Sequence, residues 1–274
     1  MRIHQLGDGV PEVAVVGGIH GDEPCGPAAV ERLVAEAPPV ERPVKLVVAN
    51  EEALARDERF LDEDLNRAFP GDADADGHEG RLAHDLAREL EGCTTLALHS
   101  TQSFADPFAL CDTVDEIARA VVPHLPVDTL IETDLFTEGR LIEHPHTVEV
   151  ECGLQGSDDA ADNAYRLARS FLAATGALDA PTPDGSNPEG PTGGEDATAD
   201  DVAVFRLLQP VGKPPADEYE VFVDNFERVE TGERFAVADG ETFTADEPFY
   251  PVLMSAGGYA DVFGYAAEKV GSLE

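Results

Sequence analysis

The sequence has few basic residues. Its 274 residues include 18 Lys and Arg against 56 Asp and Glu, a formal net charge of −38 at pH 7. The acids lie along the whole chain, and the lysines are Lys45, Lys213 and Lys269 alone. Because such an excess of negative charge repels phosphate polyanions, nucleic acid and anionic membranes are excluded as partners.

Long apolar runs and paired cysteines are also missing. No stretch approaches the roughly 18 uncharged apolar residues of a membrane span, and no basic region followed by an apolar one opens the chain. We therefore expect a cytoplasmic protein without a membrane partner. The cysteines form no CxxC pair, which argues against a zinc knuckle or a disulfide framework and favours small buried side chains.

Two periodicities alternate along the first part of the chain. Between residues 11 and 175, short β-branched runs alternate with helical periodicity, the pattern of an α/β fold with a mixed central sheet and flanking helices. The predicted strands are Val13–Val16, Val44–Val48, Thr95–Leu98, Phe108–Leu110, Thr129–Ile131 and Thr147–Val150. The predicted helices are Gly26–Ala35, Gly80–Leu90, Val114–Val122 and Asp158–Ala174. We therefore assign residues 1–175 to one α/β domain.

The pattern changes after residue 175. Residues 176–201 are acidic and rich in Pro and Gly, which predicts a linker or loop. Residues 202–274 contain short apolar runs separated by turn residues, which predicts a small β-rich C-terminal domain. A module of about 70 residues is marginally stable alone, so we expect it to pack on the first domain.

Two predicted strands are followed by metal-binding residue types. In "GGIHGDE", residues 17–23, His20 and Glu23 lie in a glycine-rich turn, and "TTLALHSTQS", residues 94–103, runs from an apolar strand into His99. An HxxE pair alone is also typical of a capping Glu beside a core histidine. The third residue favours a metal, because hydrolytic zinc usually takes three such ligands and ligands bind at strand ends in α/β folds.

Two further stretches carry polar residues of interest. In the strand "HTVEVEC", Glu149 and Glu151 share one face, which predicts either a solvent-exposed face or a general base beside a metal-bound water. The stretch "RFLDEDLNRAFPG", residues 59–71, concentrates Arg59, Asn66 and Arg67. The two arginines are either ion-pair partners for local acids or donors that recognise a carboxylate or a developing oxyanion.

The motifs in their order resemble the succinylglutamate desuccinylase and aspartoacylase family, relatives of the zinc carboxypeptidases. "GGIHGDE" looks like the metal turn of that family, "DLNRAFPG" like its substrate loop, "LHSTQS" like its third-ligand strand and "VECGLQG" like its catalytic-glutamate strand. "YPVLMSAGGYADVFGYAAEKV", residues 250–270, resembles its closing segment. Together with the acidic composition, this identifies the sequence as a haloarchaeal member of the family.

The resemblance implies roles for individual residues. His20, Glu23 and His99 would hold one Zn²⁺ per chain, Glu151 would be the general base, and Arg59 would polarise the scissile carbonyl. The residues implied in substrate binding are Asn66, Arg67, Arg140 and Tyr259. The Glu149 position is commonly a small residue in this family, so its role stays open.

The implied reaction is hydrolysis of the amide bond of an N-acyl amino acid. The partner would be this small molecule, with the C-terminal domain closing the active site, and a homo-oligomer stays open. Two alternatives remain: a metallocarboxypeptidase acting on peptide C-termini, which needs an open groove, and a non-catalytic zinc-binding protein, which has no use for a base.

The negative charge predicts a salt-dependent stability. In molar salt the Debye length falls to about 3 Å, which screens self-repulsion and suits a halophile, whereas an unusually acidic mesophilic protein is the alternative. We expect the melting temperature to rise steeply between low and molar KCl. A profile that stays flat in a thermal scan series would contradict the halophile interpretation.

Overall fold

The computed structural model describes residues 1–136, 138–179 and 201–273. The strands are β1 Arg2–Leu6, β2 Val13–Gly17, β3 Val44–Val48, β4 Thr94–Thr101, β5 Phe108–Cys111, β6 Thr129–Glu132, β7 Thr147–Leu154, β8 Val202–Gly212, β9 Tyr219–Val221, β10 Arg234–Ala238, β11 Glu241–Thr244, β12 Tyr250–Val252 and β13 Val262–Leu273. The α-helices are α1 Cys25–Glu36, α2 Glu51–Leu54, α3 His78–Glu89, α4 Glu116–Val121 and α5 Asp158–Ala174. Short 3₁₀ turns lie at Leu65–Arg67, Val122–His124, Asp134–Phe136 and Leu141–Glu143.

Ten strands form one mixed sheet in the order β1-β3-β2-β4-β7-β5-β6-β8-β13-β12. Strands β3, β2, β4 and β7 are parallel neighbours, and β5, β6 and β8 form a second parallel group that runs antiparallel to β7. Strands β9, β10 and β11 make a separate three-stranded sheet. The expected mixed α/β class is therefore confirmed.

Helices cover both faces of the central sheet. One apolar cluster joins α1, α4 and α5 to the strands, with Leu33, Val121 and Phe171 among its buried members. A second cluster on the other face includes Leu82 and Leu86 of α3. Strands β2 and β4 are buried on both faces, which explains why their sequences are nearly continuous apolar runs.

A close backbone approach ties helix α1 to the end of β2. A Cβ atom built on Gly17 would lie 2.3 Å from the carbonyl carbon of Gly26, so both positions need the small residue. The turn between them carries His20 and Glu23. The glycines around this turn thus hold it against the sheet.

Each predicted strand and helix of residues 1–175 has a counterpart, and most extend a few residues further. Strand β4 continues from Leu98 to Thr101 and β7 from Val150 to Leu154. Strand β1 was not predicted, because its sequence RIHQL is half polar and it pairs only at the sheet edge, with β3. Boundaries are less certain than element types in sequence reasoning, since terminal turns and strand ends depend on tertiary contacts.

The C-terminal region is rich in strands and joins the main sheet. Strand β8 pairs in parallel with β6, and β13 and β12 extend the sheet beyond it. Residues 180–200 of the predicted linker lie outside the described residues. Within the described ranges, each helix is too short or too polar to cross a membrane.

Candidate metal and substrate site

Three neighbouring parallel strands bring the predicted metal residues to one sheet edge. His20 and Glu23 follow β2, and His99 lies near the end of β4, which pairs with β2. Glu151 lies on β7, where its Cα is the register partner of His99. The parallel pairing therefore collects the four side chains although they are far apart in the chain.

The buried trio His20, Glu23 and His99 has the geometry of a metal site. Each residue offers one ligand atom, and these atoms all lie within 4.8 Å of one another. The Glu23 carboxylate is 2.7 Å from Nδ1 of His20 and 3.1 Å from Nδ1 of His99. Two imidazole nitrogens and a carboxylate are a donor set that zinc takes in hydrolytic sites, so the residues fit this ion.

Asp64 supports the trio from outside. Its Oδ1 is 3.0 Å from Nε2 of His20, and the same atom accepts a hydrogen bond from the backbone N–H of Asn66. A carboxylate on the far ring nitrogen orients a metal-binding histidine and leaves its other nitrogen free for the ion. Asp64 was not predicted as a site residue from the sequence, although it is the acid of the DLNR motif.

Arg59 connects two of these carboxylates. Its Nη1 donates to Glu23 Oε1 at 3.2 Å, and its Nη2 donates to Asp64 Oδ2 at 3.3 Å. The Arg59 side chain is 36% exposed and lines the cleft. Arg59 therefore does form ion pairs with local acids, which was one of the two expectations from the sequence. Its side chain also remains accessible to a molecule in the cleft.

The charges of the trio perturb one another. Burial disfavours protonation of His99, but the hydrogen bond and charge of Glu23 outweigh it and raise the pKa of His99 to about 10. Burial likewise disfavours ionisation of Glu23, yet His20 and His99 hold its pKa well below the usual range. The pocket thus stabilises a positive charge beside the Glu23 carboxylate, as a cation site requires.

The acidic face of β7 points into the cleft. Glu149 is 5% exposed, and both it and Glu151 line the cleft, so the prediction of a solvent-exposed face is wrong for this strand. Val148 and Val150 lie on the opposite face, in the core, as their alternation predicts. Burial and the charge of Glu23 raise the pKa of Glu151 to about 7, which suits a general base at neutral pH.

Two arginines, Arg67 and Arg140, also line the cleft. Burial and the nearby charge of Arg140 lower the pKa of Arg67, which indicates two neighbouring guanidinium groups. Arg140 is buried, and its Nη2 donates to the Tyr265 hydroxyl at 3.0 Å. Asn66 Oδ1 accepts from the N–H of Leu141 at 2.8 Å, which ties the two loops together. Paired arginines of this kind are suited to bind a carboxylate.

All nine predicted site residues line a single cleft. It contains about 660 Å³ of empty space, counting the part open to solvent. The predicted members of its wall are His20, Glu23, Arg59, Asn66, Arg67, His99, Arg140, Glu151 and Tyr259. Further lining residues from the C-terminal region are Leu253, Ser255 and Gly258. These three and Tyr265 lie in the quoted segment 250–270, but only Tyr259 of that segment was predicted as a site residue.

These features define a class of α/β proteins that carry a His–Glu–His cluster at one edge of the central sheet. Residues 9–126 match the model of the succinylglutamate desuccinylase/aspartoacylase catalytic domain. Succinylglutamate desuccinylase of Pseudomonas paraeruginosa is 35% identical over 32% of this chain and 31% of its own length. The chain thus matches about a third of the length of this curated relative.

Solved structures extend the likeness of fold over nearly the whole chain. The product-bound ectoine utilization protein EutE (DoeB) of Ruegeria pomeroyi has a TM-score of 0.75 at 19% identity, covering 99% of this chain and 88% of that chain. Murine aminoacylase 3 has a TM-score of 0.70 at 21% identity, covering 97% and 98% of the two chains. Residues 9–126 are therefore similar to the catalytic domain of the succinylglutamate desuccinylase/aspartoacylase family, and the whole chain shares the fold of these solved structures.

The trio predicts one divalent metal ion per chain. Elemental analysis of the purified protein should show about one equivalent, falling to near zero in His99→Ala because a ligand is lost. His84→Ala, on helix α3 and outside the cleft, is the matched control and should keep its metal. Equal metal contents in the two variants would contradict the assignment of His99 as a ligand.

Proposed function

We propose that the protein is a zinc-dependent amidohydrolase that cleaves an N-acyl amino acid into a carboxylic acid and a free amino acid. The observation that carries this proposal is the shared cleft, in which the metal trio and Glu151 lie together with the Arg67–Arg140 pair. The names of the relatives, succinylglutamate desuccinylase and aminoacylase 3, agree with this reaction.

His20, Glu23 and His99 would hold the zinc ion. When bound there, zinc supplies a Lewis acid that makes water a stronger nucleophile at neutral pH and polarises a carbonyl oxygen. Asp64 keeps the His20 ring oriented through the 3.0 Å contact at Nε2. Arg59 restrains the Glu23 carboxylate through its 3.2 Å hydrogen bond.

Glu151 would move the proton. Its carboxylate accepts a proton from the attacking water and later gives it to the departing amine, which a group with a pKa of about 7 can do in both directions. Arg59, whose guanidinium is partly exposed to the cleft, would donate to the oxygen that becomes negative during attack. Removing one such donor typically costs about 10²–10³ in rate.

The arginine pair would recognise the free carboxylate of the amino acid. Arg67 and Arg140 offer planar N–H groups, and Nε of Arg140 is buried without a hydrogen-bond partner among the described residues. Asn66 and Tyr259 line the same cleft and complete the group of polar side chains for the substrate. Charge-assisted, two-point binding would fix the position of the amide relative to Glu151.

A product screen tests the reaction class. N-acetyl and N-succinyl amino acids and short peptides are incubated with the protein in high salt with added zinc, and free amine is measured. We expect release from N-acyl amino acids and little from peptide C-termini. Preferred release from peptides would support the metallocarboxypeptidase alternative, and no release from either would contradict the proposed function.

Glu151→Gln tests the proposed base. The substitution keeps the shape of the side chain but removes proton acceptance, so kcat should fall by roughly 10²–10⁴ with a modest change in KM. Zinc content, measured in parallel, should stay at the wild-type value. If Glu149→Gln abolishes turnover while Glu151→Gln spares it, Glu149 is the base instead.

Arg67→Ala tests carboxylate recognition. Its loss should raise KM by an amount equivalent to about 1.5–3 kcal/mol, because a charge-assisted hydrogen bond to the substrate is removed. A substrate with an amidated carboxylate serves as the matched probe. Amidation of the substrate should raise the KM of the wild type far more than the KM of Arg67→Ala. Equal increases in the two proteins would show that Arg67 does not contact this carboxylate.

A further inference from the structure

Two buried polar atoms on neighbouring strands face each other, and neither has a hydrogen-bond partner among the residues that the structure describes. They are Nε2 of His99 on β4 and Oε1 of Glu149 on β7, and they lie 4.0 Å apart. The side chains of His99 and Glu149 are 5% and 7% exposed, so bulk water does not readily solvate either atom. Burying a carboxylate oxygen and a ring nitrogen without partners is costly, which calls for an explanation.

The other histidine of the trio, His20, has a hydrogen-bond partner at the corresponding nitrogen. Nε2 of His20 is 3.0 Å from Oδ1 of Asp64, so the ring is held at its far nitrogen. Both histidines direct Nδ1 at the Glu23 carboxylate. The two rings therefore use corresponding atoms toward the proposed ion, but only His20 has a carboxylate at hydrogen-bond distance behind it.

The position of the ring proton links these observations. A neutral imidazole that binds a metal through Nδ1 must carry its proton on Nε2, where it requires an acceptor. For His99, the structure brings Oε1 of Glu149 to within 4.0 Å of that nitrogen. A shift of about 1 Å in either side chain reaches hydrogen-bond distance.

We propose that Glu149 is a positioning residue that accepts the Nε2–H of His99 and orients this ring for the metal. Glu149 would then do for His99 what Asp64 does for His20, so that each proposed histidine ligand has a carboxylate at its Nε2. The inference rests on the proposed zinc function. It assigns a role to an acid that the proton transfer by Glu151 does not use.

Zinc affinity provides a readout that does not depend on turnover. Wild type, Glu149→Ala and Glu149→Gln are titrated with zinc against a chromophoric chelator, and the apo proteins are melted in parallel. Loss of an outer carboxylate typically weakens metal binding 10–100-fold, which we expect for Glu149→Ala. Glu149→Gln keeps an acceptor oxygen of nearly the same shape and should lose less.

Thr147→Val is the matched control. Thr147 lies on the same face of β7, two residues from Glu149, and its buried hydroxyl also has no hydrogen-bond partner among the described residues. Its zinc affinity should stay within about twofold of wild type, since the hydroxyl does not reach His99 in the proposed arrangement. Glu149 Oε1 and His99 Nε2 lie 4.0 Å apart, beyond hydrogen-bond distance, so the melting temperature of apo Glu149→Ala should not fall.

Distinct outcomes separate this inference from the proposed function. If wild type binds no zinc, the proposed function fails first. If wild type binds zinc and hydrolyses its substrate but Glu149→Ala binds zinc within twofold of wild type, only the role of Glu149 is overturned. Parallel losses of apo stability and zinc affinity in both Glu149 variants would indicate a structural role and also overturn it.

Discussion

The parallel pairing of β2, β4 and β7 is the constraint on which the rest of the site depends. It brings the turn after β2 beside His99 and makes Glu151 the register partner of that histidine. A slip of one residue in β7 would turn Glu149 and Glu151 into the core and expose valines to the cleft. The apolar alternation of this strand therefore specifies a chemical site as well as a core.

Charge is distributed unevenly between the surface and the cleft. The chain carries a formal net charge of −38, yet Arg59, Arg67 and Arg140 line one cleft. Arg59 is partly neutralised by Glu23 and Asp64, whereas burial and the charge of Arg140 lower the pKa of Arg67. An anionic group bound between the latter two would relieve this repulsion, and the surrounding acids would disfavour anions elsewhere.

Local pattern was sufficient to predict most elements and the three side chains that converge as a candidate metal trio, but not the partners around them. Strand β7 was predicted from its alternation, and HxxE and the strand-end His99 carry their chemistry in short motifs. Strand β1, at the sheet edge, lacks such a pattern. The contacts of Arg140 with Tyr265 and of Asp64 with His20 depend on tertiary structure, since they join residues 125 and 44 positions apart.

The way the C-terminal strands join the sheet bears on which substrates the cleft can take. Strands β12 and β13 flank the loop that carries Ser255, Gly258 and Tyr259, and these three residues form part of the cleft wall. Lys213 holds the loop, because its Nζ donates to the carbonyls of Ala256 at 2.7 Å and Tyr259 at 2.9 Å. The proposed carboxylate site at Arg67 and Arg140 therefore shares its cleft with a loop that these hydrogen bonds hold in place.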